Sequence, residues 1–275
     1  MSHFTVVIIG ENPEEQLAPF DEEIEVPEYK KKVVSKKDKQ MFINLYTTDS
    51  SNRDYAPITK EEAKVNKKLS FDKLYEKYSE DWNGNVWRKD ANGEWSEYST
   101  YNPNSKWDWY VLGGRWRGFF KAKKEKKGIC GDSGGLYKIE PTPGWYDQLK
   151  KGDIDFQGMR NLVINKAIQT YKKFEKKFKE DPKCKNFNPY FDFGVENKGN
   201  RNNFIPESRE EYINRQKHIA PYAVIKNGKW HEKGQMGWFG MSSNDKKPRD
   251  WEEEFISLFE DVSDDTLVSV FDCHI

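Results

Sequence analysis

Cysteine and histidine are scarce in this 275-residue chain: three of the first (Cys130, Cys184, Cys273) and four of the second (His3, His218, His231, His274). Three widely spaced cysteines make neither a disulfide framework nor a zinc ribbon, and a reducing cytosol fits that usage. No two histidines have the spacing of a helical metal site. Net charge is missing too, with 46 Lys and Arg against 46 Asp and Glu, which argues against a general nucleic-acid coat while leaving local patches. No apolar run approaches a membrane span. Val6-Val7-Ile8-Ile9 is too short for the apolar region of a secretory signal and has no basic flank. The expected compartment is the cytoplasm, without a membrane partner, a cofactor or a resident metal.

What the chain does have is aromatic area. Hydrophobic residues make up only 35%, but 17 Phe, 14 Tyr and 10 Trp can bury enough surface for a folded globular protein. Charge comes in blocks. Residues 11–28 hold eight acids and no base, residues 30–39 six lysines against one aspartate, and a second basic run covers 121–127. Such runs read as solvated loops.

Residues 3–10 and 266–274 read as apolar strands at the two ends. Terminal strands are ordered when bound in a sheet. The reading therefore places them side by side in a mainly antiparallel sheet, with helices on one face and long polar loops, an α+β fold. An extended excursion to residue 39 and a short strand at 41–46 are expected between them. A helix in two pieces follows at 59–78, the second capped by Ser70. Asn83-Gly84 and Asn92-Gly93 suit hairpin turns. Residues 107–112 read as a helical turn or a strand, 118–123 as a strand and 145–151 as a short helix. The clearest helix is 158–179, where Met159, Leu162, Val163, Ala167, Tyr171, Phe174 and Phe178 recur at helical spacing. Ser208 with Glu211 forms a capping box for 207–217, Asn227-Gly228 turns a hairpin, and 251–259 is helical. With no repeat and no linker, the expectation is one domain, 1–275, carrying a charged and helical insertion at about 28–80.

Chemistry concentrates at 102–120, NPNSKWDWYVLGGRWRGFF. Gly113 and Gly114 let another group approach the backbone. Trp107, Trp109, Tyr110 and Trp116 offer stacking faces, and Arg115 and Arg117 offer planar forks for phosphate or carboxylate. A second glycine–aromatic loop, 237–243, adds Trp238 and Ser242. The competing reading is a core of indoles around a tight glycine turn. Elsewhere, His3, Asp272 and His274, with Cys273, converge if the terminal strands pair. Asp153 and Asp155 complement a helix dipole. Gly131-Asp132-Ser133-Gly134-Gly135 copies the nucleophile pattern of trypsin-like proteases, but only His3 precedes Ser133 and no base–orienter set surrounds it, so it reads as a loop.

Met1-Ser2-His3-Phe4, the 12–20 segment NPEEQLAPF, NPNSKWDWY at 102–110, Gly113-Gly114-Arg115-Trp116, KGDIDF at 151–156, MGWFGMSS at 236–243 and the closing Asp272-Cys273-His274-Ile275 together resemble a family of phage-encoded proteins. The resemblance implies a phage origin and a role in the cytoplasm of an infected bacterium; it brings no activity, fold or catalytic assignment. Lacking a coherent catalytic set, the central cluster suggests binding without turnover. The leading expectation is an anti-defence protein that sequesters a small nucleotide-type immune signal, an indole stacking on the base and Arg115 and Arg117 taking phosphate oxygens. One alternative is a nucleotide phosphodiesterase or hydrolase using His3, Asp272 and His274. Another is an inhibitor that docks directly on a host defence protein. The partner is thus a small nucleotide or a host protein, with self-association open.

Overall fold

Seven residues of mainly β-branched and aromatic character, His3–Ile9, form strand β1, and every side chain from Phe4 onward is buried. The computed structural model describes residues 2–51, 57–79, 85–133, 140–199, 203–237 and 241–275. It has two compact units, Met1–Asp21 with Lys106–Ile275, and Glu22–Ser105. In chain order β1 leads to α1 (Pro13–Leu17). The Glu22–Ser105 unit holds β2 (Tyr29–Val33), α2 (Lys36–Thr47), α3 (Lys60–Asn66), α4 (Phe71–Tyr78), β3 (Asn85–Lys89) and β4 (Trp95–Ser99). The first unit resumes with β5 (Trp109–Leu112), β6 (Phe120–Lys121), β7 (Trp145–Tyr146), β8 (Gln148–Lys150), α5 (Phe156–Glu180), α6 (Pro189–Phe193) and α7 (Arg209–Gln216). It closes with β9 (Ala223–Lys226), β10 (Lys229–Glu232), β11 (Gln235–Met236), β12 (Ser242–Ser243), α8 (Pro248–Ser257) and β13 (Leu267–His274).

The main sheet of the first unit runs β10-β9-β1-β13-β5, with β8 also paired to β13. The two terminal strands lie side by side and antiparallel, from His3↔His274 to Ile9↔Val268. Only the β1–β9 pair of this sheet is parallel. The fold is α+β. Alternation along the strands sends successive side chains to opposite faces. Val7, Ile9, Val224, Val268 and Val270 face Met159 of α5 and Trp251 and Phe255 of α8. Phe4, Val6, Ile8, Ala223, Ile225, Phe271 and Cys273 face the other way, under Leu17, Phe20 and Trp107. The long helices therefore occupy one face, and each fully buried Val, Ile or Phe contributes about 1.5–3 kcal/mol. Further along α5, Ala167, Tyr171 and Phe174 gather Val195 and Tyr212 into a third cluster.

Local chemistry explains most boundaries. Ser208 and Glu211 close a reciprocal box at the start of α7. Asn227 (φ 51°) and Gly228 (φ 70°) turn β9 into β10. Three segments differ from the sequence reading. Residues 36–47 form helix α2 rather than an extended stretch and a strand, because Ser35 and Asp38 make a capping box. Residues 145–151 form β7, β8 and the start of a 3-10 turn rather than a helix, since β6 and β13 offer free edges there. The strand expected at 118–123 shrinks to Phe120–Lys121. Asn83-Gly84 lies outside the described residues.

The Glu22–Ser105 unit includes an antiparallel β2-β4-β3 sheet. Phe42, Tyr46, Phe71, Tyr75, Tyr78, Trp87 and Trp95 form a chain of ring contacts there. The lysine run is partly ordered on β2, with Lys30 on Asp90 at 2.9 Å and Lys31 on Glu97 at 3.0 Å. Among the described residues no helix is long and apolar enough to cross a membrane.

Candidate functional site

Register and alternation together build a polar cluster at one end of the main sheet. His3 pairs with His274, Thr5 with Asp272, and His274 in turn with Trp109 on β5. Paired residues share a face, so these five side chains project from the face that carries α5 and α8 further along. Asp272 has no exposed surface. Its Oδ1 lies 2.8 Å from His3 Nδ1, and its Oδ2 accepts from the Arg115 amide at 3.0 Å. His274 Nδ1 lies 2.6 Å from Asp108 Oδ1. The two imidazole centroids are 5.0 Å apart, and His3 also meets the Trp109 ring edge-on at 5.9 Å.

Each imidazole is thus anchored through Nδ1 to its own carboxylate, which sets ring orientation and leaves proton exchange to Nε2. The side chains of His3 and His274 are 13% and 15% exposed. Among the described residues His274 Nε2 is buried without a hydrogen-bond partner. Trp109, 41% exposed, stands beside the pair.

The double glycine lies behind this cluster. Gly113 and Gly114 have φ of 79° and 55°. A Cβ on Gly114 would fall 2.3 Å from Asp272 Cβ, and one on Gly113 2.5 Å from Asp147 Oδ2. The close approach to this backbone is therefore made by the protein's own carboxylates. Asp147 is fully buried. Its Oδ2 accepts from the Gly131 amide at 2.8 Å and its Oδ1 from that of Gly118. Burial pushes its carboxyl above the ordinary range, against the pull of the Gly131, Gly118 and Phe119 amides and the Arg117 charge. The Asp132 carbonyl accepts from Gly114 at 2.9 Å. The described part of the Gly131–Gly135 motif is thus a buttress for the glycine turn; Gly134 and Gly135 lie outside the described residues.

The residues of the 102–120 cluster are distributed between the two faces. Trp109 adjoins His3, the Arg115 amide and Gly114 adjoin Asp272, and Gly113 adjoins Asp147. Trp107 is buried, its indole donating to the Leu17 carbonyl at 3.2 Å, and Tyr110 packs on Trp107 and Phe271 in the opposite layer. Arg115 is exposed, and Arg117 is half-buried near Asp147. Trp116 lines a separate cavity. Ser242 is exposed and bonds Asp245 at 3.0 Å; Trp238 lies outside the described residues. His3, Asp272 and His274, from opposite ends of the chain, come together. Asp108 and Asp147 escaped the sequence reading. Asp108 sits one residue before β5, a signal readable once the strand is fixed, whereas Asp147 in Trp-Tyr-Asp-Gln carries no local signal.

Cys130, Cys184 and Cys273 are free thiols. Among the described residues no group of three or more His, Cys, Asp or Glu is arranged to hold a metal ion. Comparison with protein-family models, curated proteins and solved structures finds no match.

Proposed function

We propose that this chain hydrolyses a small nucleotide-type phosphodiester at the His3–His274 cluster, the imidazoles acting as general base and general acid. The observation that carries this reading is the pair of rings 5.0 Å apart, each oriented by its own carboxylate. One neutral imidazole takes the proton of an attacking water at Nε2 while the water oxygen bonds phosphorus. The other, protonated, gives its proton to the leaving oxygen as the P–O bond breaks. Each transfer contributes typically about 10²–10⁴-fold. Arg115, exposed next to Asp272, supplies the cation for the non-bridging oxygens, and Trp109 offers a stacking face. The resemblance to phage-encoded proteins supplies the setting, removal of a nucleotide immune signal in the host cytoplasm as an anti-defence step.

Capture without turnover is the second reading, favoured by the exposure of both Trp109 and Arg115. One experiment separates them. Purified wild type, His3→Ala and His274→Ala are incubated with a panel of cyclic and linear nucleotides, denatured, and the released ligand analysed. Hydrolysis predicts converted ligand from wild type, with turnover reduced by about 10² or more in either variant. Intact ligand from all three proteins assigns capture. A protein that neither binds nor converts any nucleotide overturns both and leaves docking on a host protein.

A further inference from the structure

Thr5, two residues along β1 from His3 and opposite Asp272, also borders an open cavity of about 290 Å³. Its walls are apolar and aromatic: Trp116 and Phe119 from the turn leading into β6, Trp145 from β7, and Val163 from α5. Trp116 directly follows Arg115, whose amide is fixed by Asp272. One carboxylate thus orders a catalytic ring on one side and the approach to the cavity on the other. A volume near 290 Å³ lies at the bottom of the range for ligand cavities, about 300–1,000 Å³, which suits a single ring system and not a whole dinucleotide.

A polar contact is present in this apolar wall. His218 lines the cavity with its side chain 16% exposed; the Asn214 backbone hydrogen-bonds the ring, and among the described residues its buried Nδ1 has no hydrogen-bond partner. Glu252 stands 3.9 Å away, but its oxygens are taken by Arg160 and by the amides of Ile219 and Ala220. We infer that this cavity receives the nucleobase of the substrate, with Trp116 as the stacking wall and His218 as the group that reads the base edge. The inference rests on the phosphodiester reading for the placement of the phosphate. Burial depresses the His218 pKa, against the pull of Glu252 and the Asn214 backbone; a neutral imidazole carries one donor and one acceptor nitrogen.

The test uses intrinsic tryptophan fluorescence on the full chain, titrated with the four common ribonucleoside monophosphates and, as the base-less control, ribose 5-phosphate. Wild type is expected to bind at least one nucleotide about tenfold or more tighter than ribose 5-phosphate, the scale of one base–aromatic stack. Val163→Phe, which fills the cavity, and His218→Ala, which removes the polar contact, should both abolish that preference while leaving ribose 5-phosphate affinity unchanged. Equal binding of nucleotides and ribose 5-phosphate by wild type, a preference that survives in both variants, or no nucleotide binding at all overturns the inference. Failure of the phosphodiester reading looks different: the base preference persists, but wild type releases every phosphodiester intact.

Discussion

At the scale of residues, Asp272 splits its two oxygens between an imidazole and the backbone amide of Arg115, and Gly114 is the residue that makes room for it. Alanine there must accept φ 55° and place its methyl 2.3 Å from Asp272 Cβ. Left-handed backbone alone costs about 1–2 kcal/mol for a residue with a Cβ, and relieving the overlap moves the carboxylate. Gly114→Ala is therefore expected to lower the melting temperature by about 4 °C or more and to reduce turnover through His3, checked by thermal unfolding and single-turnover kinetics. An equally stable, equally active variant would show that the turn tolerates a side chain. The sequence marked Gly113-Gly114 as a place of close approach, and that part was legible. That the visitors are Asp147 and Asp272 was not, since both arrive from more than thirty positions away along the chain. Nor does alternation separate Trp107 from Trp109, which share parity; Trp107 lies before β5 and enters the opposite layer through its bridge to Asp21.

At the scale of elements, two local signals with partners within four residues give the right element. The Ser208–Glu211 box and the Asn227-Gly228 turn are readable and form; the Ser35–Asp38 box, with Asp in place of the usual Glu or Gln at N3, goes unread in the lysine-rich segment. Residues 145–151 went wrong for the opposite reason, because their conformation is set by distant edges on β6 and β13. The α7 box also carries a pH dependence. Hydrogen bonding from Lys198, then from the Ser208 amide and hydroxyl, holds the Glu211 carboxyl at about 2 against an ordinary 4.5. The folded value lies below the unfolded one, so the unfolded chain takes up protons first as acid is added. The contribution is present in full above the unfolded value and is lost as pH falls through the folded one. Glu211→Gln should melt below wild type near neutral pH, with the gap closing as pH drops from 4.5 toward 2, followed by circular dichroism. A gap that stays constant across that range would remove Glu211 from the acid response.

At the scale of the whole molecule, the segment 22–105 leaves and re-enters the first unit at neighbouring points. The Phe20 carbonyl accepts from the Lys106 amide at 2.7 Å, and Asp21 bridges to Trp107. Joining Asp21 to Lys106 through a short Gly-Ser link closes a small loop at little entropic cost. The shortened chain is expected to unfold in one cooperative transition and to keep the turnover proposed for His3 and His274, measured by thermal melting and a nucleotide assay. Loss of cooperativity would assign the inserted unit a part in folding.

Strand β13 follows every other described element and slides between β1 on one side and β5 with β8 on the other. Without β13 the edges of β1 and β5 that it pairs lie open, and open strand edges invite pairing with other chains. His274 and the carboxylate that orients His3 both belong to β13, so the proposed acid–base pair is complete only with that strand in place.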